Sequence, residues 1–292
     1  MRKAPEYVPV YNIETKEMHS QGFDIIDLEG KGGKEYDSSQ LHRHTFFELF
    51  LFTGGKGTHE IDFMHYPVDR NSVHFVSPGQ IHKLILKKTQ GYVICFTEDF
   101  ISLQANESFI ERFPFYDSSN YPVIELNKLL STEITALIHA INNDFRQPGD
   151  ATDILRSYLN IVLLKIKNSC SGSKEKDKKP LQIKNPKITS FKNLIHDQYL
   201  THKPVSDYAL QLNITPNHLN ALCKKHEGKT AIQLLQDRLL LESKRLLYAT
   251  DMTVKEVCFH LNFEDVPYFN RFFKKQTQLT PVEYRSQSKQ NH

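Results

Sequence analysis

Three histidines and one glutamate in the first third of the chain have the residue types and spacing of a metal or small-ligand site. His42 and His44 are separated by one residue, Glu48 follows four residues later, and His82 ends the segment SPGQIH. Imidazole nitrogens together with a carboxylate suit a divalent transition metal. The same groups can hydrogen-bond a polar small molecule or one another, so the residue types alone leave all of these uses open.

Strands must position these side chains. In residues 40–100, short runs rich in β-branched and aromatic residues alternate with Gly, Pro and Asn, which predicts a small antiparallel barrel or sandwich. Alternate residues of a strand point to one side, so His42, His44 and Glu48 are expected to share one inward face. The predicted strands are LHRHTFFELFLF, GTHEIDF, SVHFVS, HKLILK and GYVICF. Three further histidines are interpreted as satisfied or surface residues and are left out of the site: His59, His65 and His74.

After residue 125 the spacing of apolar residues changes to that of helices. Two stripes with i, i+3, i+4 spacing, from Leu126 to Phe145 and from Ile154 to Ile166, predict two amphipathic helices joined by a turn at QPGD. We expect this pair to cover one face of the barrel. It could also expose a seam for a homodimer, the commonest kind of oligomer, and this alternative stays open.

The segment SGSKEKDKKP contains no apolar residue and ends in proline, which predicts a flexible linker. We place the linker at residues 171–185, between an amino-terminal domain at residues 1–170 and a carboxy-terminal domain at residues 186–292. Residues 1–170 carry 17 Lys and Arg against 22 Asp and Glu, whereas residues 181–292 carry 16 against 10, a net +6. A basic surplus in one domain predicts a polyanionic partner for that domain.

The apolar stretches of the chain, such as FFELFLF, are far shorter than a bilayer span, and none lies at the amino terminus. We therefore expect a cytoplasmic protein with no membrane association. The four cysteines are widely spaced without a CxxC pair, so they are expected to be reduced thiols.

The carboxy-terminal domain contains an internal repeat of about fifty residues, and each copy predicts one helix-turn-helix unit. In the first copy, Ser206 is expected to cap a helix through Leu212, and Thr215 to cap the next. In the second, Thr253 begins a capping box and Asp265 caps the following helix. Between the copies, AIQLLQDRLLLESKRLLYAT predicts a helix of about seventeen residues, on the order of 26 Å long, that holds the units apart.

The outward face of each second helix is the predicted DNA-reading surface, because a recognition helix presents its amino-terminal half to base edges in the major groove. Asn pairs with adenine and Arg with guanine, so Asn217, Asn220, Asn270 and Arg271 are the predicted base readers. Lysines are expected to contact phosphates, which sets affinity and not sequence preference. These are Lys224, Lys225, Lys274 and Lys275. Arg238 on the connecting helix is left open between a DNA contact and an internal anchor.

The segment from Val205 to Arg285 resembles the tandem helix-turn-helix domain of AraC/XylS-type bacterial transcription regulators, above all in NFEDVPYFNRFFKKQTQLTPVEYR. Residues 40–100 resemble the cupin-like amino-terminal domain of the same family. The resemblance implies an α+β protein, with a cupin-like β-barrel and two covering helices followed by an all-α domain. Two family glycines are replaced by Asn262 and Gln278, and the second replacement puts the local backbone in doubt.

The resemblance also implies which residues contact DNA. In the first recognition helix these are Asn217, Asn220 and Ala221. In the second they are Val266, Pro267, Tyr268, Asn270 and Arg271. Ala221 and Val266 can offer only apolar contacts, such as one to a thymine methyl group.

We therefore predict a transcription regulator that binds double-stranded DNA and responds to a small-molecule effector held by His42, His44, Glu48 and His82. No cofactor is expected. The family commonly keeps this pattern without a metal, so a metal at these four residues is the less favoured interpretation. An activator would also contact RNA polymerase, and the sequence does not separate activator from repressor. The alternatives are a cupin metalloprotein or enzyme with a DNA-binding tail, and an architectural DNA binder without sequence preference.

Overall fold

The structure is a computed structural model. Its described residues fall into two compact units, the first within residues 9–171 and the second within residues 185–290. The predicted linker lies outside the described residues except at its ends, where Ser171 closes a helix and Asn185 caps the next one. The structure describes residues 9–11, 22–29, 38–101, 109–117, 120–171 and 185–290.

The first unit is built on one six-stranded sheet. The strands of this unit are β1 Val10–Tyr11, β2 Phe23–Asp27, β3 Arg43–His44, β4 Phe47–Ile61, β5 Met64–Val68, β6 Ser72–Val76, β7 His82–Phe96 and β8 Val123–Glu125. In the sheet they are hydrogen-bonded in the order β2-β7-β4-β6-β8, and β5 pairs with β4 as well. Strands β1 and β3 form a separate parallel pair. The sequence predicted a small antiparallel barrel or sandwich in an α+β protein. Within the described residues the sheet follows an open path and does not close, and the predicted sheet-rich first unit and helical second unit are present.

Two long strands replace four of the predicted short ones. β4 and β7 pair antiparallel along their whole length, from Phe47 opposite Phe96 to Ile61 opposite His82, with register shifts on either side of Gly54. One half of β4 also pairs with β6 and the other half with β5. Phe50 and Ile61 come from different halves and lie in one buried cluster, so the halves of the sheet face each other.

The predicted alternation along β4 is present. Phe46, Phe50 and Phe52 lie in the inner cluster between the halves of the sheet. The residues between them, such as Leu49 and Leu51, lie in a separate outer cluster. Both faces of the strand are therefore buried, which explains why this run contains so few polar residues.

The predicted helix pair covers the outer face of the sheet. It consists of α3 Lys128–Arg146 and α4 Thr152–Ser171, and Ile138 and Leu159 pack into the outer cluster. Leu129 and Ile154 were expected in the apolar stripes but are 73% and 52% exposed. Their neighbours Leu130 and Leu155 pack against the outer cluster instead, so Leu129 and Ile154 lie on the outward side of the first turns. Two short helices precede the pair, α1 Glu98–Ile101 and α2 Phe109–Arg112.

The second unit contains two helix-turn-helix copies on one long helix. In the first copy, Ala209, Leu219 and Leu235 share a core, and in the second Cys258 and Phe269 share a core with later turns of the long helix. Among the described residues, none of the helices has the length and apolar character needed to span a bilayer. The helices of this unit are α5 Pro186–Gln198, α6 Val205–Gln211, α7 Pro216–Glu227, α8 Ala231–Ala249, α9 Val254–His260, α10 Val266–Thr277 and α11 Pro281–Gln290.

Most of the predicted caps are present in this unit. Thr215, Thr253 and Asp265 each accept a hydrogen bond from the backbone N–H three residues later. The prediction for Ser206 is wrong, because α6 begins at Val205, two residues earlier than a cap at Ser206 would place it. Pro204 occupies the N-cap position, and no side chain caps this helix.

The two family glycine positions keep a left-handed backbone without glycine. Asn262 has φ 57° and Gln278 has φ 64°. The N–H of Gln278 donates to the carbonyl of Lys274 at 2.8 Å, as the N–H of Gly228 does to Lys224 in the first copy. This closing hydrogen bond of α10 holds Gln278 in a conformation that costs a non-glycine residue about 1 kcal/mol or more.

Buried charges anchor the middle of α8. Glu242 accepts hydrogen bonds from Arg238 at 3.0 Å and from Arg245 at 3.3 Å. The guanidinium of Arg238 also lies 4.1 Å from the ring centroid of Tyr199. Arg238 is therefore an internal anchor in this structure.

Gly91 provides a test of how tightly β7 must approach β4. It has φ +147°, and a Cβ at this position would lie 1.9 Å from the carbonyl oxygen of Leu51. Gly149 also has a positive φ, +120°, but has no atom within 4 Å of its Cβ position. Both substitutions to Ala place a side chain at an unfavourable φ, which costs on the order of 1–3 kcal/mol.

We expect Gly91→Ala to lower the free energy of unfolding clearly more than Gly149→Ala, since only Gly91→Ala adds a collision with a neighbouring strand. Urea unfolding of the two variants measures the difference. Equal destabilisation would contradict the close pairing at Gly91.

Candidate functional sites: a buried histidine cluster and a nucleic-acid interface

Five histidines and one glutamate form a continuous cluster on the inner face of the sheet. All six side chains are buried, and none is more than 1% exposed. Strands β3, β4, β6 and β7 supply them or lead directly into them. The cluster consists of His42, His44, Glu48, His59, His74 and His82.

Three of the four predicted site residues meet at one point. His44 Nε2 lies 2.9 Å from Glu48 Oε2 and 3.1 Å from His82 Nε2, and His82 Nε2 lies 3.4 Å from the same carboxylate oxygen. His42 stands beside this point. Its ring centroid is 4.1 Å from that of His82, and its Nδ1 lies 2.7 Å from the carbonyl oxygen of Gln40. His44, Glu48 and His82 thus form a set whose ligand atoms could hold a metal ion.

The contact between His44 and Glu48 requires a proton or a cation between the two side chains. His44 Nδ1 lies 2.7 Å from the carbonyl oxygen of Phe46, and a carbonyl can only accept, so Nδ1 carries the proton. In a neutral ring the Nε2 of His44 is then a bare acceptor, and it faces the carboxylate of Glu48. Two acceptors 2.9 Å apart repel each other unless a proton or a cation lies between them. The arrangement therefore fits either a shared proton or a metal ion.

His59 and His74 were interpreted from the sequence as satisfied residues and not as ligands, and both are buried and hydrogen-bonded next to the set that could hold a metal ion, without belonging to it. His59 Nε2 lies 3.1 Å from His82 Nδ1, and His59 Nδ1 lies 3.2 Å from His74 Nδ1. The pairing of β4 with β6 and β7 turns both residues inward, because His74 lies opposite Phe50 and His59 opposite Leu84. The alternation of residues along a strand could have indicated this inward orientation only if the register of the β4–β6 and β4–β7 pairs had been known.

Burial keeps His59, His74 and His82 neutral at neutral pH because it lowers the pKa of each of them. Desolvation lowers the pKa of His59 and His82 well below the usual value, and neighbouring histidines add to the effect. For His74, desolvation lowers the pKa to about 3. A neutral imidazole keeps one lone pair, which can accept a hydrogen bond or bind a metal ion.

Apolar and aromatic side chains enclose the cluster. The ring of Phe46 stacks on His44 at 4.4 Å, and Phe50 meets His59 edge-on at 4.8 Å. Cys95 Sγ donates to Glu48 Oε1 at 3.6 Å. An open cleft of 460 Å³ lies elsewhere in the same unit, between Leu28 and Leu86, and no cluster residue lines it.

The predicted DNA-reading residues divide into an exposed set and a half-buried set. On α7, Asn217, Ala221 and Lys224 are exposed. On α10, the residues fifty positions later, Pro267, Arg271 and Lys274, are exposed as well, together with Tyr268. Val266 is half-buried and packs against the core of the second copy.

Asn220 and Asn270 were expected to face outward, but both are half-buried. The Oδ1 of Asn220 accepts a hydrogen bond at 3.0 Å from the backbone N–H of Ala231, the first residue of α8. This N–H has no partner within its own helix, so the asparagine satisfies it. The residue equivalent to Ala231 in the second copy is Pro281, which has no N–H. Among the described residues the Oδ1 of Asn270 is correspondingly buried without a hydrogen-bond partner.

Each of the two units matches the model of a known protein family. The model of the AraC-like ligand binding domain matches residues 29–149, and the model of a helix-turn-helix domain matches residues 208–287. Together the two matches span most of the chain.

Three proteins are similar to this chain over most of its length. The chain is 21% identical over 250 residues to the transcriptional activator RhaR of Mannheimia succiniciproducens, which covers 84% of this chain and 87% of that one. It is 22% identical over 251 residues to YfiF, an uncharacterised HTH-type transcriptional regulator of Bacillus subtilis, covering 84% and 78%. The structure of ToxT from Vibrio cholerae with a bound unsaturated fatty acid matches 91% of this chain and 95% of that one, with 14% identity and a TM-score of 0.42.

The two asparagines give a matched pair for measurement. We expect Asn220→Ala to lower the free energy of unfolding of the carboxy-terminal unit by about 1 kcal/mol, because it removes one partly buried hydrogen bond. Asn270→Ala should cost much less, since it removes no such bond. Urea denaturation followed by circular dichroism measures both.

A Pro281→Ala background provides the control. It supplies the missing N–H, so Asn270→Ala should then cost about as much as Asn220→Ala. An equal loss for the two asparagines in the natural background would contradict the assignment.

Proposed function

Because the chain belongs to the AraC/XylS-type transcription regulators, we propose that α7 and α10 read a specific double-stranded DNA sequence and that a small molecule bound in the first unit alters this reading. The observation that carries the proposal is the repetition of exposed positions. Residues 217, 221 and 224 of one helix have exposed equivalents at 267, 271 and 274 of the other. Both helices therefore present the same face, and each carries a lysine at the last of these positions.

The residues of this face have different tasks in the proposal. Arg271 reads guanine and Asn217 reads adenine through bidentate hydrogen bonds in the major groove. Lys224 and Lys274 contact phosphates, which positions the helices on the duplex. Tyr268, half-exposed at the start of α10, adds a further contact. Lys225 and Lys275 extend the phosphate contacts, and the apolar residues Ala221, Val266 and Pro267 fit thymine methyl groups.

The two half-buried asparagines differ in this scheme. Asn220 is assigned to positioning α7 on α8, because its amide oxygen is already bonded to Ala231. Asn270 retains the role of a base reader, since its amide oxygen gains a partner when the side chain turns toward a base edge. The first helix thus reads with Asn217 and the second with Asn270 and Arg271.

The buried cluster is the proposed receptor for the effector. A small molecule that reaches His42, His44, Glu48 and His82 must replace contacts that these side chains now make with one another. Binding therefore favours a different packing of the inner face, and this differential contact can shift an equilibrium between two states of the regulator. We assign a binding role and no catalytic step to the cluster.

A bound divalent transition metal is the second candidate for this site. It is favoured by the convergence of three ligand atoms of His44, Glu48 and His82 at distances of 2.9 to 3.4 Å from one another. When bound, a metal ion would supply a fixed positive charge that links β4 to β7 and could offer a binding position to an anionic effector.

The remaining partners follow from the proposed role. A regulator that acts on promoter DNA works in the cytoplasm of a bacterium and, as an activator, touches RNA polymerase. Ile154 and Ile161 of α4 are exposed apolar residues seven positions apart, which fits a homodimer seam along this helix.

Selection of bound sequences from a random duplex pool tests the proposed DNA recognition. Arg271→Ala should relax base preference at one position at a cost of about 1–3 kcal/mol. Lys274→Ala should weaken binding to all sequences alike and lower the slope of affinity against salt by about one. Lys128→Ala, an exposed lysine of the first unit, should change neither quantity. An unchanged selected sequence for Arg271→Ala would refute the base-reader assignment.

A further inference from the structure

His82, His59 and His74 form a hydrogen-bonded chain that starts where His44, Glu48 and His82 meet. His82 Nδ1 meets His59 Nε2 at 3.1 Å, and His59 Nδ1 meets His74 Nδ1 at 3.2 Å. The rings of His59 and His74 are stacked with an interplanar angle of 7°. The chain starts at a residue of the three-ligand set and ends at His74 Nε2, which has no hydrogen-bond partner among the described residues.

Each neutral imidazole has one N–H and one lone pair, so the chain can run in only two directions. In one direction His82 donates from Nδ1 to His59, His59 donates from Nδ1 to His74, and the lone pair of His82 Nε2 points at Glu48. In the other direction His82 Nε2 carries its proton toward Glu48 and His44, and the chain ends on a bare, buried acceptor at His74 Nε2. The first direction leaves an N–H at that end instead.

The direction of hydrogen-bond donation along the histidine chain determines whether a proton or a metal ion can lie between His44, Glu48 and His82. In the first, His44 Nε2, His82 Nε2 and Glu48 Oε2 are all electron-pair donors directed at one point. A single proton can bridge only one pair of them, whereas a metal ion can accept all three. Cys95 donates to the other carboxylate oxygen, Oε1, and so holds Oε2 toward the same point.

We propose that His59 and His74 are positioning residues for a divalent transition-metal ion held by His44, Glu48 and His82. His59 accepts the Nδ1 proton of His82 and thereby fixes the tautomer in which Nε2 is free to bind the metal. His74 fixes His59 in turn. The inference rests on the second candidate function above and adds two residues outside the three-ligand set. A partner of this kind typically changes metal affinity by about 10–100-fold when it is removed.

Cobalt(II) titration of the chelator-stripped, full-length protein tests this proposal. Its visible absorption reports binding to mixed nitrogen and oxygen ligands, and competition with a chelator of known affinity gives the dissociation constant. We expect one bound ion in the unmodified protein and none at this site in His44→Ala. His59→Leu should bind about 10–100-fold more weakly, and His74→Leu should lose less affinity because it acts through His59.

Two variants separate a positioning role from a merely structural one. His59→Gln keeps an acceptor for the His82 proton and should restore most of the affinity lost in His59→Leu. His65→Ala, whose side chain is 54% exposed, should bind like the unmodified protein. If His59→Leu does not fold, as judged by circular dichroism of the metal-free protein, His74→Leu and His59→Gln provide the same comparison.

The cobalt titration separates failure of the positioning role from failure of the metal site. Equal affinity in the unmodified protein, His59→Leu and His74→Leu would overturn the positioning role while leaving the metal site in place. An unmodified protein that binds no cobalt, or a His44→Ala variant that binds it normally, would overturn the metal site and the positioning role together. Neither result bears on DNA recognition, which the selection experiment tests independently.

Discussion

Both reading helices depend on the packing of α8, because each helix-turn-helix core is completed by different turns of this one helix. Leu235 closes the first core, and Leu246 and Leu247 close the second. Between them Glu242 is buried with Arg245, and removal of one partner of such a pair typically costs about 3–5 kcal/mol. The helix has nineteen residues and is therefore about 28 Å long. One rigid helix therefore carries both DNA-reading surfaces. Its length is close to the ~34 Å between successive major grooves on one side of DNA.

The two helix-turn-helix copies have the same fold, but their exposed recognition-helix residues differ in chemistry. Equivalent exposed positions hold Asn217 and Pro267, and Ala221 and Arg271, while lysine occupies the third position in both. Common lysines fit a common phosphate backbone, and different side chains at the other positions fit different bases. A single chain with this pattern would read a directional site of two dissimilar halves. The buried histidine cluster, in the separate first unit, supplies the kind of polar, closed site through which a ligand could bias that reading.

Features set by local chemistry were predictable from the sequence, and features set by long-range pairing were not. Thr253 and Asp265 cap their helices through residues three positions later, so the capping residues could be identified directly. His44 and Glu48 are only four residues apart, on the successive strands β3 and β4, so their closeness could also be expected from local spacing. His59 and His74 join the cluster through strand register, and their spacing in sequence does not contain that information. Asn220 is held by Ala231 across a turn, a contact that the helical period alone could not indicate.

In the proposed binding mode, two linked helix-turn-helix copies present their exposed faces to neighbouring grooves on one side of a duplex. Hydroxyl-radical footprinting of the full-length protein on a selected site measures this directly. We expect two protected segments on one face of the DNA, about one helical turn apart, that persist at moderate ionic strength. Protection confined to one groove, or protection that disappears at moderate ionic strength, would contradict it.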